Sequence, residues 1–449
     1  MFVKALLVST LIYIGFSDFI SPAHARAEIQ EGQFIGDDET EKALVGWLDE
    51  IFKVAGLSIK PQIYILASHE VNAGATYGGQ IVVYTGFLLK CQTVGQLLGV
   101  LAHEVGHIAG SHMAKQDAAQ QQAMVPAILA TLIGGAAAIA SGNPASLLAG
   151  ATGGMSIFER GLLKHSQSQE DSADSAALKY LELLHWPSDG LFEFLSALNH
   201  QYNGQIDPYT STHPLTPDRM EKVHLYPKKS KSEIPAEYEK RFQRIRAKMA
   251  GFMNPLQKIL QDYPQSDTSI PALYARSIAF YRSGDTKKAL KIIDTELLTK
   301  SSGDPYFLEL KGQMLFETGN LKGAVDAYKE ARKQNPNGIG LNLLFGHALL
   351  ELAVSNAAQN NKTTLQEAVQ TLTLVTEKCP QSVFAWHLLA GAYGKMENHA
   401  DAAGCLAEEA WLTGNIPFAK AQATKAAQSQ NATFARRARD ILKQIEQMG

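Results

Sequence analysis

The sequence predicts a mixed α+β domain followed by an all-α domain of helical repeats. Two short segments before residue 90 are rich in β-branched and aromatic residues, and an apolar segment with helical periodicity follows at residues 97–112. Toward the C-terminus, helical patterns recur at a regular spacing instead. We therefore assign residues 26–250 to the α+β domain and residues 251–449 to the all-α domain.

Composition limits the classes of protein to consider. The chain has 449 residues, of which 45% are hydrophobic, as in an ordinary globular protein with an apolar core. Its formal net charge is −3, whereas nucleic-acid-binding proteins usually carry a basic excess. The sequence therefore predicts no nucleic acid partner.

The N-terminus has the pattern of a secretory signal peptide. Lys4 precedes an apolar run at residues 5–16, and a small-residue cleavage site ends at Ala25. The run is short for a membrane span, and Asp18 interrupts its continuation. We expect residues 1–25 to be removed on export.

Three elements are predicted ahead of residues 97–112. Residues 41–55 have the pattern of an amphipathic helix, residues 61–67 and 80–85 have the composition of strands, and the Gly-rich residues 72–79 suggest a turn. An edge strand beside the following helix could bind an extended peptide through main-chain hydrogen bonds, whereas an interior strand could not. From the residues alone, both interpretations of 80–85 are open.

Residues 97–112 contain an H-E-x-x-H motif formed by His103, Glu104 and His107. Residues four apart lie on one helix face, so both imidazoles could bind a single zinc ion. Glu104 could then take a proton from a metal-activated water and pass it to a leaving amine. The alternative is a pair of core histidines on a buried helix face. The motif favours metal-assisted hydrolysis of a peptide bond.

A catalytic zinc site usually has a third protein ligand. A histidine six residues after His107 would fit the metzincin pattern, but that position is Met113. A second helix at 165–184 contains Glu170 and Asp174, which are four apart and share a face. Glu170 could bind zinc while Asp174 accepts the free ring N–H of a ligand histidine. The alternative is a solvated acidic helix start.

An uncharged apolar segment at residues 123–158 lies between the second and third candidate ligands. Residues 141–144 should turn the chain in its middle, and each half is too short to span a bilayer comfortably. We expect a helical hairpin that covers the cleft, makes peripheral contact with a membrane, or packs into the core.

The C-terminal region repeats itself. Gly284 and Gly319 occupy equivalent positions 35 residues apart, close to the tetratricopeptide period of about 34 residues. A further unit begins at Trp386, and residues 338–380 form a degenerate unit. These repeats resemble tetratricopeptide repeats, which stack into a superhelix and bind proteins.

The metal motif and its surroundings resemble the gluzincin metalloproteases of the HtpX and CAAX-prenyl-protease superfamily. Residues 71–88 resemble the strand and turn before that family's active-site helix, and residues 211–220 resemble its distal T-H-P…R element. Helical repeats after the protease resemble the periplasmic BepA-like branch. The resemblance implies a zincin-like metalloprotease domain followed by a tetratricopeptide-repeat superhelix.

The resemblance also implies the roles of individual residues. One Zn²⁺ per chain would be bound by His103, His107 and Glu170, with Glu104 as the general base and Asp174 supporting a ligand histidine. It further favours the edge-strand interpretation of 80–85, whose predicted substrate-binding residues are Gln80, Ile81, Val82, Val83 and Tyr84.

The resemblance places His213 near the metal, although the sequence alone fits a surface loop histidine equally well. Pro214 restricts His213 to extended backbone conformations, so a helix does not continue through it. His213 could fill the fourth zinc position and hold the enzyme off, which we favour. It could instead donate a hydrogen bond to the oxyanion, with Arg219 as a second, substrate-binding donor.

These observations together predict an exported zinc endopeptidase of a Gram-negative periplasm, whose repeats bind clients. The expected partners are unfolded or misassembled exported proteins and, through the repeats, the outer-membrane assembly machinery. The predicted process is assembly and quality control of outer-membrane proteins. The alternative is a chaperone or binding protein whose protease fold is inactive or latent.

Overall fold

The computed structural model describes residues 29, 31–76, 79–110, 167–202, 208–226, 233–355 and 361–448. The predicted signal peptide and the predicted hairpin at 123–158 lie outside these residues. The described residues form two compact units, one that ends at Ile292 and one that begins at Ile293.

The first unit combines a small sheet with helices. Its strands are β1 (Phe34–Ile35), β2 (Gln62–Leu66), β3 (Ala73–Ala75) and β4 (Gln80–Tyr84). Its helices are α1 (Asp38–Val54), α2 (Thr85–Lys90), α3 (Val94–Ala109), α4 (Gln167–Leu183), α5 (Asp189–Tyr202), α6 (Pro208–Thr212), α7 (Pro217–His224), α8 (Ala236–Met253), α9 (Leu256–Asp262), α10 (Ile270–Ser283) and α11 (Thr286–Ile292).

The sheet has the strand order β1-β2-β4-β3. β2 and β4 are parallel, with Ile63 opposite Ile81, while β1 and β3 pair antiparallel with β2 and β4 respectively. The segment at 72–79, predicted as a turn, thus contains strand β3, which the composition of Ala73–Ala75 does not indicate. Within the described residues, the outer edge of β3 has no partner strand.

Helix α3 lies in the core and carries the H-E-x-x-H motif. Its first turn is capped by Thr93, whose side chain accepts a hydrogen bond from the backbone N–H of Gln96. Gly106 allows α3 to approach α4 closely, since a Cβ atom there would lie 2.8 Å from the Ala173 carbonyl oxygen. The small side chain of Ala177 adds to this packing, because it too is fully buried in α4. The two helices that carry the candidate ligands are thereby held close together.

Ion pairs tie the helices before Ile293 to the start of α1. Lys248 of α8 contacts Asp37 and Glu39, and the Tyr274 hydroxyl of α10 donates to Glu39 at 3.1 Å. Residue 250, the predicted domain boundary, lies within α8, and the helices as far as α11 belong to the first compact unit.

The second unit is helical. It begins with a π-helical segment at Ile293–Leu297, and its helices are α12 (Leu298–Lys300), α13 (Pro305–Glu317), α14 (Leu321–Gln334), α15 (Ile339–Val354), α16 (Asn361–Lys378), α17 (Val383–Lys395), α18 (His399–Leu412), α19 (Ile416–Ala426) and α20 (Ala432–Met448).

Successive helices of the second unit from α13 onward pack as pairs, as the repeat pattern predicts. In the first pair, Gly312 of α13 lies against the ring of Tyr328 of α14. Fully or nearly fully buried Ala, Leu and Phe side chains fill the space between pairs. Among the described helices of both units, none combines the length and the apolar character needed to cross a membrane.

Candidate metal centre

Four buried side chains of the first unit converge on one point. They are His103, His107, Glu170 and His213, and one ligand atom from each lies within 4.8 Å of all the others. Helix α3 supplies the first two, α4 supplies Glu170, and His213 follows α6 directly. His213 is 1% exposed, so it is not the surface histidine that its sequence context also allowed.

The distances within this donor cluster fit one small metal ion. His107 Nε2 lies 3.0 Å from His103 Nε2 and 3.2 Å from Glu170 Oε1. His213 Nδ1 lies 3.2 Å from Glu170 Oε1 and 3.4 Å from His103 Nε2. A tetrahedral zinc site with bonds of about 2.0–2.1 Å separates its ligand atoms by about 3.3 Å. The donor types and the printed distances therefore fit a small metal ion held among these four side chains.

Asp174 orients one of the candidate ligands. Its Oδ1 lies 2.8 Å from His103 Nδ1, so a neutral His103 that donates from Nδ1 directs its Nε2 lone pair toward the other donors. Burial would raise the pKa of the Asp174 carboxyl, but hydrogen bonds from His103 and Arg219 hold it below its usual value. Asp174 is therefore an ionised acceptor behind the donor cluster.

Glu104 lies beside the donor cluster and not within it. The backbone N–H of Ala75 in β3 donates to Glu104 Oε2 at 2.8 Å. Its other oxygen, Oε1, lies 3.6 Å from His213 Nε2 and makes no hydrogen bond to the described residues. Burial raises the pKa of Glu104, which brings a carboxylate base nearer to neutral pH. The carboxylate is thus fixed at one oxygen and available at the other.

Arg219, the predicted substrate or oxyanion donor, is buried behind the donor cluster, and that role stays a prediction. It is 1% exposed, and its Nε and Nη2 donate to Asp174 at 2.7 and 3.0 Å. Its Nη1 donates to the Pro214 carbonyl and lies 2.7 Å from Glu170 Oε2. These contacts commit the guanidinium to the protein itself.

The prediction that Gln80–Tyr84 is an edge strand is wrong. β4 lies between β2 and β3, which occupy the backbone hydrogen-bonding groups on both of its sides. All five of its residues, Gln80, Ile81, Val82, Val83 and Tyr84, are buried, as are those of β3, so it is the pairing on both sides that excludes β4 as an edge. The edge nearest Glu104 belongs to β3, because Ala75 contacts that carboxylate.

Sequence reasoning missed two contributors to this site. The ring of Tyr209 stacks on His213 with centroids 4.6 Å apart, and its carbonyl accepts the His213 backbone N–H at 2.7 Å. The four-residue spacing between them, one helical turn, could have indicated the contact. The contact from Ala75 is made by its backbone, so no side-chain pattern could reveal it.

Comparison with known proteins agrees with this geometry. The family model of Peptidase family M48 matches residues 39–226, which include every residue of the donor cluster. The chain is 22% identical over 362 residues to the Beta-barrel assembly-enhancing protease of Escherichia coli K12, covering 79% of this chain and 71% of that protein. It is 24% identical over 350 residues to the Putative beta-barrel assembly-enhancing protease of Vibrio cholerae, covering 75% and 69%.

Among solved structures, MamA from Desulfovibrio magneticus RS-1 is similar at a TM-score of 0.29 and 19% identity, covering 39% of this chain and 94% of that one. The M48 match covers the same segment as the donor cluster, in which a sheet is followed by the H-E-x-x-H helix and by the helix that carries Glu170. Residues 39–226 of this chain are therefore a Peptidase family M48 domain, and helical repeats follow it.

Proposed function

We propose that the protein is a zinc-dependent endopeptidase. The observation that supports this proposal most directly is the juxtaposition of four buried candidate metal donors with Glu104, whose Oε1 atom makes no hydrogen bond to the described residues. In the proposed active state, His103, His107 and Glu170 would hold the metal and leave one position open for a water. The donor set and its spacing favour zinc over the harder cations Mg²⁺ and Ca²⁺, which prefer oxygen ligands.

Each residue then has a defined task in peptide hydrolysis. When bound, zinc would lower the pKa of a water molecule and polarise the peptide carbonyl. Glu104 accepts a proton at Oε1 and delivers it to the leaving amine, while the Ala75 N–H keeps its other oxygen in place. Asp174 keeps His103 in the tautomer whose Nε2 binds metal.

His213 supports a closed resting state. Its Nδ1 lies 3.2 Å from Glu170 Oε1 and 3.4 Å from His103 Nε2, where it would occupy the position that the nucleophilic water needs. We propose that this imidazole withdraws when a substrate enters. The oxyanion-donor role is the alternative, and it would also require His213 to leave the donor cluster.

The outer edge of β3 is the proposed place for the substrate backbone. Ala73–Ala75 ends at the residue that fixes Glu104, so a strand added along β3 would pass the proposed base. The small side chains of this strand would leave room for the side chains of a bound peptide.

The biological setting is proposed from the relatives and the sequence. The similar proteins of Escherichia coli and Vibrio cholerae are named for β-barrel assembly, and residues 1–25 have the pattern of an export signal. We propose a Gram-negative periplasmic protease that takes part in outer-membrane protein assembly and quality control. Its repeats would bind unfolded or misassembled exported proteins and the assembly machinery.

A chaperone with a latent protease is the second candidate function. The position of His213 in the donor cluster favours it, since a closed site allows client binding without cleavage. The two functions can coexist if client binding opens the site.

Metal analysis combined with digestion of casein separates these functions. We expect about one zinc per chain, with cleavage by the unsubstituted protein or by His213→Ala, and none by Glu104→Gln. If His213 closes the site, His213→Ala cleaves faster and less selectively; if it stabilises the oxyanion, turnover falls by roughly 100-fold or more. Equal digestion by all three proteins would refute the proposed mechanism, and no digestion by any would leave the chaperone function.

A shortened chain tests whether the repeats select clients. Because the first compact unit extends to Ile292, the chain should end after Lys300 and not near residue 250. We expect this protein to keep its zinc and its activity on casein while it loses capture of a folded-complex client. Normal processing of that client would contradict client selection by the repeats.

A further inference from the structure

The guanidinium of Arg219 contacts three separate parts of the metal centre. Two of its nitrogens donate to both oxygens of Asp174, at 2.7 and 3.0 Å. The remaining nitrogen, Nη1, lies 2.7 Å from Glu170 Oε2 and also donates to the Pro214 carbonyl at 2.7 Å. One buried side chain thus contacts a candidate ligand, the carboxylate that orients another ligand, and the segment that carries His213.

These contacts make Asp174 a shared element. Its Oδ1 accepts from His103 as well as from Arg219 Nη2, so a shift of the guanidinium would also shift the acceptor that fixes the His103 ring. Pro214 directly follows His213, so the same shift would release the backbone of the segment that places His213 in the donor cluster. A change at one of these contacts is therefore transmitted to the others.

We propose that Arg219 is a positioning residue that couples metal coordination to the closed position of His213. With His213 in the donor cluster, Arg219 Nη1 bridges Glu170 and the Pro214 carbonyl. When His213 leaves the donor cluster, Arg219 Nη1 loses its hydrogen bond to the Pro214 carbonyl. The guanidinium then contacts only Glu170 and Asp174. The proposal rests on the proposed closed state and adds the residue that controls it.

Arginine suits this task better than lysine. Its planar fork donates two parallel hydrogen bonds to one carboxylate and still presents a third nitrogen elsewhere. A lysine ammonium keeps the charge, but as a single point it could not reach Asp174, Glu170 and Pro214 together. Arg219→Lys therefore removes the coupling while it keeps a cation beside the two carboxylates.

Lys222 provides a matched control. It lies on the same helix, α7, and also bridges to α4, because its Nζ donates to the Asp171 carbonyl at 3.3 Å. This contact is exposed and lies outside the metal centre. Lys222→Ala thus removes a cation that bridges α7 and α4 but leaves every candidate metal ligand and its contacts unchanged.

The experiment measures zinc affinity by competition with a chelator and records the visible spectrum of the Co²⁺-loaded protein. The proteins are the unsubstituted chain, Arg219→Lys, His213→Ala, the double variant and Lys222→Ala. We expect Arg219→Lys to weaken zinc binding by about 10- to 100-fold. We expect its Co²⁺ spectrum to shift toward that of His213→Ala, because a water replaces the fourth protein ligand.

The double variant tests the coupling. In the His213→Ala background, Arg219→Lys should weaken zinc binding by a smaller factor, since no histidine remains to be released. Lys222→Ala should match the unsubstituted protein in both measurements. The coupling would be overturned if Arg219→Lys weakened zinc binding by the same factor with and without His213 and also left the Co²⁺ spectrum unchanged.

Failure of the closed state itself gives a different result. If His213→Ala leaves the Co²⁺ spectrum unchanged, His213 is not a ligand, and the closed state is refuted along with the coupling. Circular dichroism of the metal-free proteins shows whether each variant folds. Arg219→Gln, which retains an amide donor for Asp174, replaces Arg219→Lys if the latter does not fold, and failure of both to fold rejects a specific positioning role.

Discussion

A glycine allows close helix packing both in the metal centre and in the helix pair α13–α14, but with different consequences. In α3 and α4, Gly106 lets one backbone approach Ala173 of the other. In α13 and α14, Gly312 lets a helix lie against the ring of Tyr328. The first approach brings charged ligands together, whereas the second only closes an apolar core. A change at the first should therefore alter chemistry, and a change at the second should alter stability alone.

The two regions also differ in what they bury. The metal centre buries the ionisable groups of Glu104, Glu170, Asp174 and Arg219 almost completely. Buried charges are costly unless they are paired, and the hydrogen bonds and ion pairs around Arg219 and the bound metal would offset this cost. In the second unit, by contrast, the cluster of buried side chains that includes Ala324 is apolar. Function in the first unit thus depends on specific partners, while the repeats tolerate exchange of similar apolar residues.

The largest expected effect in this comparison is on catalysis. Glu104→Gln should reduce peptide hydrolysis by roughly 10²- to 10⁴-fold, because the amide cannot accept the proton of the attacking water. Its zinc content should stay the same, since Glu104 is not in the donor cluster. Parallel metal analysis and digestion measure both quantities, and loss of zinc together with activity would show that Glu104 is a ligand.

A smaller effect is expected from the residue that orients a ligand. Asp174→Ala should weaken zinc binding by roughly 10- to 100-fold, because His103 loses the acceptor that fixes its ring. Asp171→Ala, three residues earlier on the same helix and only partly buried, is the control and should bind zinc normally. Chelator competition measures both, and equal affinities would remove Asp174 from the metal centre.

Two matched glycine substitutions test the comparison directly. Gly106→Ala and Gly312→Ala each place a Cβ too close to a neighbour, at 2.8 Å from Ala173 O and 2.5 Å from Tyr328 Cε1. Each should destabilise its unit by about 1–3 kcal/mol. Only Gly106→Ala should also weaken zinc binding, because it moves α3 away from the helix that carries Glu170. Thermal unfolding and zinc titration of both variants measure these effects. Impaired zinc binding by Gly312→Ala would contradict the difference between the two helix pairs.

The smallest expected effect is a pH dependence of stability that arises from Glu41, which is not part of the donor cluster. Burial is the main cause that raises the pKa of Glu41 to about 8 in the folded protein. The folded state therefore holds a proton that the unfolded state has lost between pH 4.5 and pH 8, so stability falls as pH rises through that window.

Glu41→Gln is neutral at every pH and should not show this loss. Its Tm should exceed that of the unsubstituted protein more at pH 9 than at pH 5. The difference should be about 2–4 °C, or roughly 1 kcal/mol, because the partly buried side chain keeps some contact with water. A constant Tm difference across this range would contradict the raised pKa.

The sequence predicts the metal centre well where its signals are local. His103 and His107 are four apart on one helix, and so are Glu170 and Asp174, and this spacing alone places each pair on a common face. The resemblance then supplied the pairing of these two faces. The helical character of the C-terminal half was similarly available from its period.

The sequence could not predict which strand forms the edge of the sheet. Gln80–Tyr84 and Gln62–Leu66 both have strand composition, and the short Ala73–Ala75 has little. Strand order follows from long-range pairing, which leaves no signal within a single strand. The edge of the sheet was therefore assigned to the wrong strand.

Helical spacing in the sequence already specifies the reactive groups: two imidazoles, two carboxylates and a base, followed by repeats. The folded structure adds which partner each of these groups contacts. Arg219 read as a donor for substrate, but folding buries it against Asp174, Glu170 and the Pro214 carbonyl. The physical reason is that a helix fixes the relative positions of residues a turn apart, whereas the partner of a buried charge depends on which distant elements pack around it.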